Sequence, residues 1–132
     1  MKNAYFDSSA IVKLSNLERE SQALIDYLEA DDLEVSTSVI GEVEVRRTLR
    51  RVRMSPSDTD EAVRGFYFLD LTPAVRRLAA DLGSAALRSL DAIHLATAIS
   101  IDEDLDFVTY DDRQAAAARD AGLCVVQPGR TG

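Results

Sequence analysis

Residues 4–12 read AYFDSSAIV, and the break inside that stretch decides the fold. Ala4, Tyr5 and Phe6 are a short apolar run suited to a strand, and the run stops abruptly at Asp7. Ile11, Val12 and Leu14 then continue as a helix. An acid at such a junction sits just beyond the carboxyl end of a strand.

The same alternation repeats outward from there. Leu24, Ile25 and Leu28 have helical spacing from about Ser21, and Leu33 to Val35 reads as a short strand. Thr37 or Ser38 is placed to cap a helix carrying Val39, Ile40, Val43 and Leu49. Met54 to Ser57 breaks that helix, and Ser55-Pro56 fits the start of another. Phe66 to Leu71 reads as a strand, and Thr72-Pro73 opens a helix through Val75, Leu78 and Leu82. The segment from Leu90 to Ile99 is apolar almost all round, as a buried helix is. Phe107 to Thr109 is a strand, Asp112 to Ala121 a helix stopped by Gly122, and Leu123 to Val126 the last strand. Strand–helix alternation of this kind predicts an α/β fold: a mostly parallel sheet with helices on both faces. Chemistry in such sheets gathers beyond the carboxyl ends of the strands, which makes Asp7 and Asp111 candidates by position alone.

The 132 residues suit a single domain spanning 1–132, and 46% hydrophobic with 29% charged residues is a globular balance. No apolar run is long enough to span a bilayer, and the N-terminus lacks the pattern of a signal peptide. The lone Cys124 has no intramolecular partner, so a cytoplasmic protein is expected, with Cys124 in an apolar run as part of the core. The net charge of −8 argues against simple nucleic-acid binding, which draws on Lys and Arg. Two features offset it: acids that serve a cation, and a cluster of Arg46, Arg47, Arg50, Arg51 and Arg53. That cluster fits either a phosphate- or acid-binding face or a solvated face with local ion pairs.

Each acid has an ordinary explanation as well as a chemical one. Asp7 is a good helix N-cap. Asp91 opens the apolar helix, so it is expected near the core edge, where a charge is costly unless paired or bound to metal. Its ordinary readings are a first-turn acid or an ion pair with Arg88. Glu42 and Glu44 are two apart, so only one can face a given site, and the pattern does not choose. Of Asp111 and Asp112, one is expected to cap the following helix and the other is free for chemistry. If such acids converge, their oxygens suit magnesium or manganese, which lower the pKa of bound water and clamp a phosphodiester during hydrolysis. Competing chemistries lack their parts. The single histidine, His94, lies on the buried helix and reads as a packed core residue, no Gly-rich phosphate loop is present, and zinc ligands are too few.

In order along the chain, YFDSSAIVKL from Tyr5, SVIGEVEVRRTL from Ser38, LRSLDAIHLATA from Leu87 and FVTYDDRQAAAARDAGL from Phe107 resemble the four motifs of PIN-domain ribonucleases of the VapC toxin type. The resemblance spans nearly the whole chain. It implies a three-layer α/β/α sandwich and a magnesium-dependent RNA endonuclease, with manganese as the alternative ion. It carries the site to Asp7, Glu44, Asp91 and Asp111, with Asp7 and Asp91 as direct metal ligands. Thr109 and Ser8 or Ser9 are placed to hydrogen-bond those ligands. It also implies an RNA substrate, a cognate protein antitoxin, a homodimer and no membrane. Rival readings are a catalytically silent module of the same fold and a response-regulator-like phosphoacceptor. The second wants an acidic pair at the first strand and a late lysine, and the only lysines are Lys2 and Lys13.

Overall fold

A computed structural model describes residues 2–30, 32–101 and 104–130. Its elements are β1 (Lys2–Phe6), α1 (Ser8–Ser15), α2 (Ser21–Ala30), β2 (Leu33–Ser38), α3 (Val39–Arg51), α4 (Pro56–Val63), β3 (Tyr67–Leu69), α5 (Pro73–Asp81), α6 (Ser89–Ile99), β4 (Asp106–Val108), α7 (Asp112–Asp120) and β5 (Cys124–Val126). The five strands form one parallel sheet in the order β3-β2-β1-β4-β5.

Period-two alternation in β1 builds both faces of the sheet. Ala4 and Phe6 point into a core with Ile11, Leu24, Val45, Leu49 and Val63, which α1 to α4 supply. Tyr5 points the other way, to Leu95, Ala98, Phe107, Ala118 and Leu123, under α6 and α7. Helix α5 packs on α6. The result is the expected three-layer α/β/α sandwich.

Local chemistry starts the helices where the sequence marks them. Asp7, Ser38, Ser55, Thr72 and Asp111 each accept a backbone N–H as N-cap, and Pro56 and Pro73 occupy first turns. Of the two candidate caps for α3, Ser38 is the one used.

Three expectations need correction. The strand expected over Phe66 to Leu71 is shorter, Tyr67–Leu69, because β3 is an edge strand paired only to β2; it leaves Tyr67 and Phe68 exposed. Cys124 is exposed rather than in the core, since β5 is the opposite edge strand. The second strand runs on past Val35 through Ser36, Thr37 and Ser38, polar residues that are nonetheless buried in the sheet. No described helix is long and apolar enough to cross a membrane.

The strand order reverses at β1. Chain growth runs from β1 through β2 to β3 on one side, then jumps to β4 on the other. A crevice opens at the carboxyl ends of strands at such a switch point. Here those ends lead into Asp7 after β1 and Thr109 after β4.

Candidate active site

One open pocket of about 610 Å³ lies at that switch point. Asp7, Glu44, Asp91 and Asp111 all line it, each from a different segment of chain. Glu42 does not. It turns away on α3 to pair with Arg46, as the two-residue offset requires.

Asp7 is 4% exposed and fully engaged by donors. Its Oδ1 accepts from the Ser9 hydroxyl at 2.6 Å and from the Ala10 N–H at 3.1 Å. Its Oδ2 accepts from the Thr109 hydroxyl. Ser9 in turn accepts from the Tyr110 N–H at 2.9 Å, and Thr109 accepts from the Asp111 N–H at 3.1 Å. The two hydroxyls therefore stitch the end of β1 to the loop after β4 and fix the carboxylate plane. Asp7 is an N-cap, as its ordinary reading requires, and it lines the pocket as well. Burial raises its pKa despite these donors.

Asp91 lies in the first turn of α6, and no hydrogen bond or ion pair holds its carboxylate among the described residues. The ion pair with Arg88, one of its two ordinary readings, is absent among the described residues; Arg88 acts only at longer range. Burial, then the charges of Asp111 and Glu44, raise the Asp91 pKa, with His94 and Arg88 opposing. An acid so placed is short of positive charge.

Glu44 is held by the residue that sequence reasoning set aside. His94 is buried as expected, yet it lines the pocket and its Nε2 meets Glu44 Oε1 at 2.6 Å. Its Nδ1 meets the Tyr5 hydroxyl at 2.6 Å, and that oxygen accepts from the Ser38 N–H at 3.1 Å. A carboxylate only accepts, so Nε2 carries the hydrogen. In the neutral ring Nδ1 is then bare and accepts from the Tyr5 O–H. The chain of donors runs one way, from backbone to Tyr5 to His94 to Glu44, and aims the Glu44 carboxylate. Gly41 makes room for it: a Cβ there would stand 2.3 Å from Thr37 Oγ1 and 3.2 Å from His94 Cε1. The signal for His94 was its place three residues after Asp91 on α6, since such residues share a helix face.

Asp111 resolves the other doubled pair in an unexpected way. It is both the cap and the pocket residue: Oδ1 accepts from the N–H groups of Arg113 and Gln114 at 2.9 and 3.3 Å. Asp112 faces solvent and pairs with Arg130. Of the arginine cluster, Arg46 is neutralised by Glu42 and Asp60, so part of that face is a set of local ion pairs.

The donor set fits a hard divalent cation in type, being carboxylate oxygens, and among the described residues no ion pair engages Asp7, Asp91 or Asp111. Among the described residues no three His, Cys, Asp or Glu side chains close on a single point. Magnesium does not require that, because it keeps several waters and takes one or two carboxylates.

Comparison with known proteins gives the chain's family. The PIN domain family model matches residues 4–120. The chain is 40% identical to Ribonuclease VapC47 of Mycobacterium tuberculosis, over 95% of this chain and 96% of that protein. It is 42% identical to Ribonuclease VapC46 of the same species, over 97% and 99%. Among solved structures, a toxin–antitoxin complex from Klebsiella pneumoniae superposes with a TM-score of 0.72 at 24% identity, covering 93% of this chain and 95% of that one. Mycobacterium tuberculosis VapC20, described as a sarcin-ricin loop cleaving toxin, gives 0.73 at 15% identity, covering 95% and 99%. At these identities the structural likeness is one of fold.

Proposed function

This chain belongs to the PIN domain family, and from that premise we propose that it is a magnesium-dependent endoribonuclease, the toxin of a toxin–antitoxin pair. The observation that carries the reading is the pocket: four acids from four segments face one space, and among the described residues none of Asp7, Asp91 and Asp111 forms an ion pair. Full-length relatives at about 40% identity that are named ribonucleases support the substrate class.

Asp7 and Asp91 would hold the ion, with Glu44 and Asp111 reaching it directly or through water. Bound there, magnesium or manganese would acidify water and neutralise charge at the phosphodiester being hydrolysed. The chain's own contribution is order. Ser9 and Thr109 lock the Asp7 carboxylate, His94 locks Glu44, and the cap bonds lock one oxygen of Asp111. Positions fixed in advance cost nothing to organise during reaction.

An RNA substrate, a cognate protein antitoxin that masks the pocket and a homodimer belong to the same proposal. The exposed Tyr67 and Phe68 on the edge strand β3 support an interface between subunits. The test is cleavage of RNA by the purified protein with magnesium, with manganese and with a chelator. We expect internal cuts in both metals and none with chelator. Equal cutting in chelator would refute the metal role, and no cutting in either metal would refute the nuclease.

A further inference from the structure

A second pocket, of about 440 Å³, opens directly beside the acid pocket and shares Arg88, Asp91 and Arg113 with it. We propose that it receives an unstacked base of a single-stranded RNA, from the nucleotide next to the phosphate being cut. The inference rests on the nuclease reading and adds to it a subsite that reads the base.

The geometry points to a base for three reasons. The pocket is a crevice between α6 and α7. Asp91 and Leu95 lie one turn apart on one wall, and Arg113, Ala117 and Ala121 lie at four-residue steps on the other. It therefore starts beside the acids at the helix N-termini and runs between the helices as an open slot, with exposed Gly83, Asp120 and Ala121 at its other end. Its walls are apolar and carry no aromatic ring: Leu82, Leu87, Leu95, Ala117 and Ala121 supply them. A flat heterocycle fills such a slot, and its volume lies in the range that holds small ligands, roughly 300–1,000 Å³.

The seam between the pockets has the opposite character. Arg88 and Arg113 are exposed, and no ion pair or hydrogen bond holds either guanidinium among the described residues. In a chain of net charge −8 they stand where a phosphate must pass over four carboxylates. A guanidinium can contact the phosphate or stack on the entering base. Ser84 and Asp120 provide hydrogen-bonding groups beyond the seam for the polar edge of that base. Acid pocket, arginine seam and apolar slot follow one another in the order metal, phosphate, base.

The test uses wild type and two filled variants, Ala121→Phe and Ala86→Trp, both at exposed lining positions where a larger side chain does not strain the core. Circular dichroism melts establish that each folds. The probes are short fluorescent single-stranded ribo-oligonucleotides of each base type and matched strands with abasic sites. Binding is read by anisotropy with chelator present, so that no strand is cut. Repulsion from the acids then cancels between base-containing and abasic strands. We expect wild type to bind base-containing strands roughly tenfold more tightly. We expect both filled variants to lose that preference. Equal affinity for the two strand types, no measurable binding of either, or a preference that survives in both variants would overturn the inference. So would unchanged RNA binding alongside lost capture of a protein partner or an altered oligomeric state, which would assign the pocket to protein. Cleavage in magnesium, measured separately on the same strands, keeps the two readings apart. Cutting without base preference removes the subsite only, and base preference without cutting removes the nuclease only.

Discussion

Two acid clusters stand at different places on this chain and have opposite electrostatics. Around Tyr110, Lys13 Nζ meets Glu18 and Glu20 at 2.8 Å each, and Arg130 meets Glu20 at 3.1 Å and Asp112 at 2.8 Å. Both cations lie over the Tyr110 ring, at 4.6 and 5.3 Å from its centre. Burial alone would lower the Lys13 pKa, but its two carboxylates overturn that and leave it raised; Glu20 is lowered to about 2 by Lys13 and Arg130. In the pocket, Asp7 and Asp91 are both raised. The first cluster is closed: each charge has its answer in the chain, and it ties α1 to the segment after β5. The second is open: among the described residues no arginine or lysine pairs with its carboxylates, although the unpaired Arg88 and Arg113 line the same pocket. Acid count alone does not separate a structural cluster from a chemical one; pairing with internal cations does.

The largest effect should come from the open cluster. Asp7→Asn keeps the shape while removing the charge, and we expect RNA cleavage in magnesium to fall by roughly three orders of magnitude or more, measured as initial rates. Far-ultraviolet circular dichroism should remain that of the folded protein. Retained cleavage would mean that the open cluster is not the reacting one.

Next comes the closed cluster, where the same kind of change should act on stability instead. Lys13→Met leaves Glu18 and Glu20 without their shared cation in a part-buried site. Glu20 keeps Arg130 and Glu18 is half-exposed, so the loss is that of a hydrogen bond to a charged group, about 1.5–3 kcal/mol. Urea unfolding should register that loss, while cleavage per folded molecule stays near wild type. A stability unchanged by Lys13→Met would erase the distinction between the clusters.

A smaller effect is the response of the closed cluster to acid. The Glu20 pKa is about 2 in the folded chain against an ordinary 4.5. Its contribution is therefore complete above about pH 4.5 and is lost as pH falls toward 2. Glu20→Gln should flatten the stability curve across that window, as read by denaturant titrations at each pH.

The fold was legible because its signals are local. A strand ending at Asp7, capped helices and a largely apolar α6 each follow from residues close in sequence, and together they impose a parallel sheet. The elements that ran differently are those whose extent depends on distant partners. Edge strands β3 and β5 have one neighbour each, and β2 extends through Ser36 to Ser38 only because β1 and β3 flank it. The choice of Glu44 over Glu42 came from family resemblance, and the structure supplies its reason in His94. That histidine read as core because burial was visible in the pattern of α6, while its partner Glu44 lies 50 residues away. Asp111 and Asp112 could not be separated as cap or ligand, because one side chain has two oxygens and can serve at both.

The smallest effect is also the one that tests the open cluster without any RNA. The ionised Asp91 carboxylate is disfavoured by burial and by Asp111 and Glu44, so its charge opposes folding at neutral pH. Asp91→Asn removes that opposition and should raise the melting temperature by a few degrees in chelator, each kcal/mol being worth about 3–5 °C in a domain of this size. The raised pKa sets the sign of the pH dependence. The penalty is present above the folded pKa and vanishes below the ordinary value of 3.8, so the two melting curves should converge as pH falls toward 3.8. Adding magnesium should reverse the order. Wild type gains from an ion that binds only the assembled site, by about 2.7 kcal/mol at a hundred times the dissociation constant, and Asp91→Asn gains little. A substitution that stabilises without metal and forgoes stabilisation with it is what a cation-deficient cluster requires. No arrangement that draws its positive charge from the chain would give both signs.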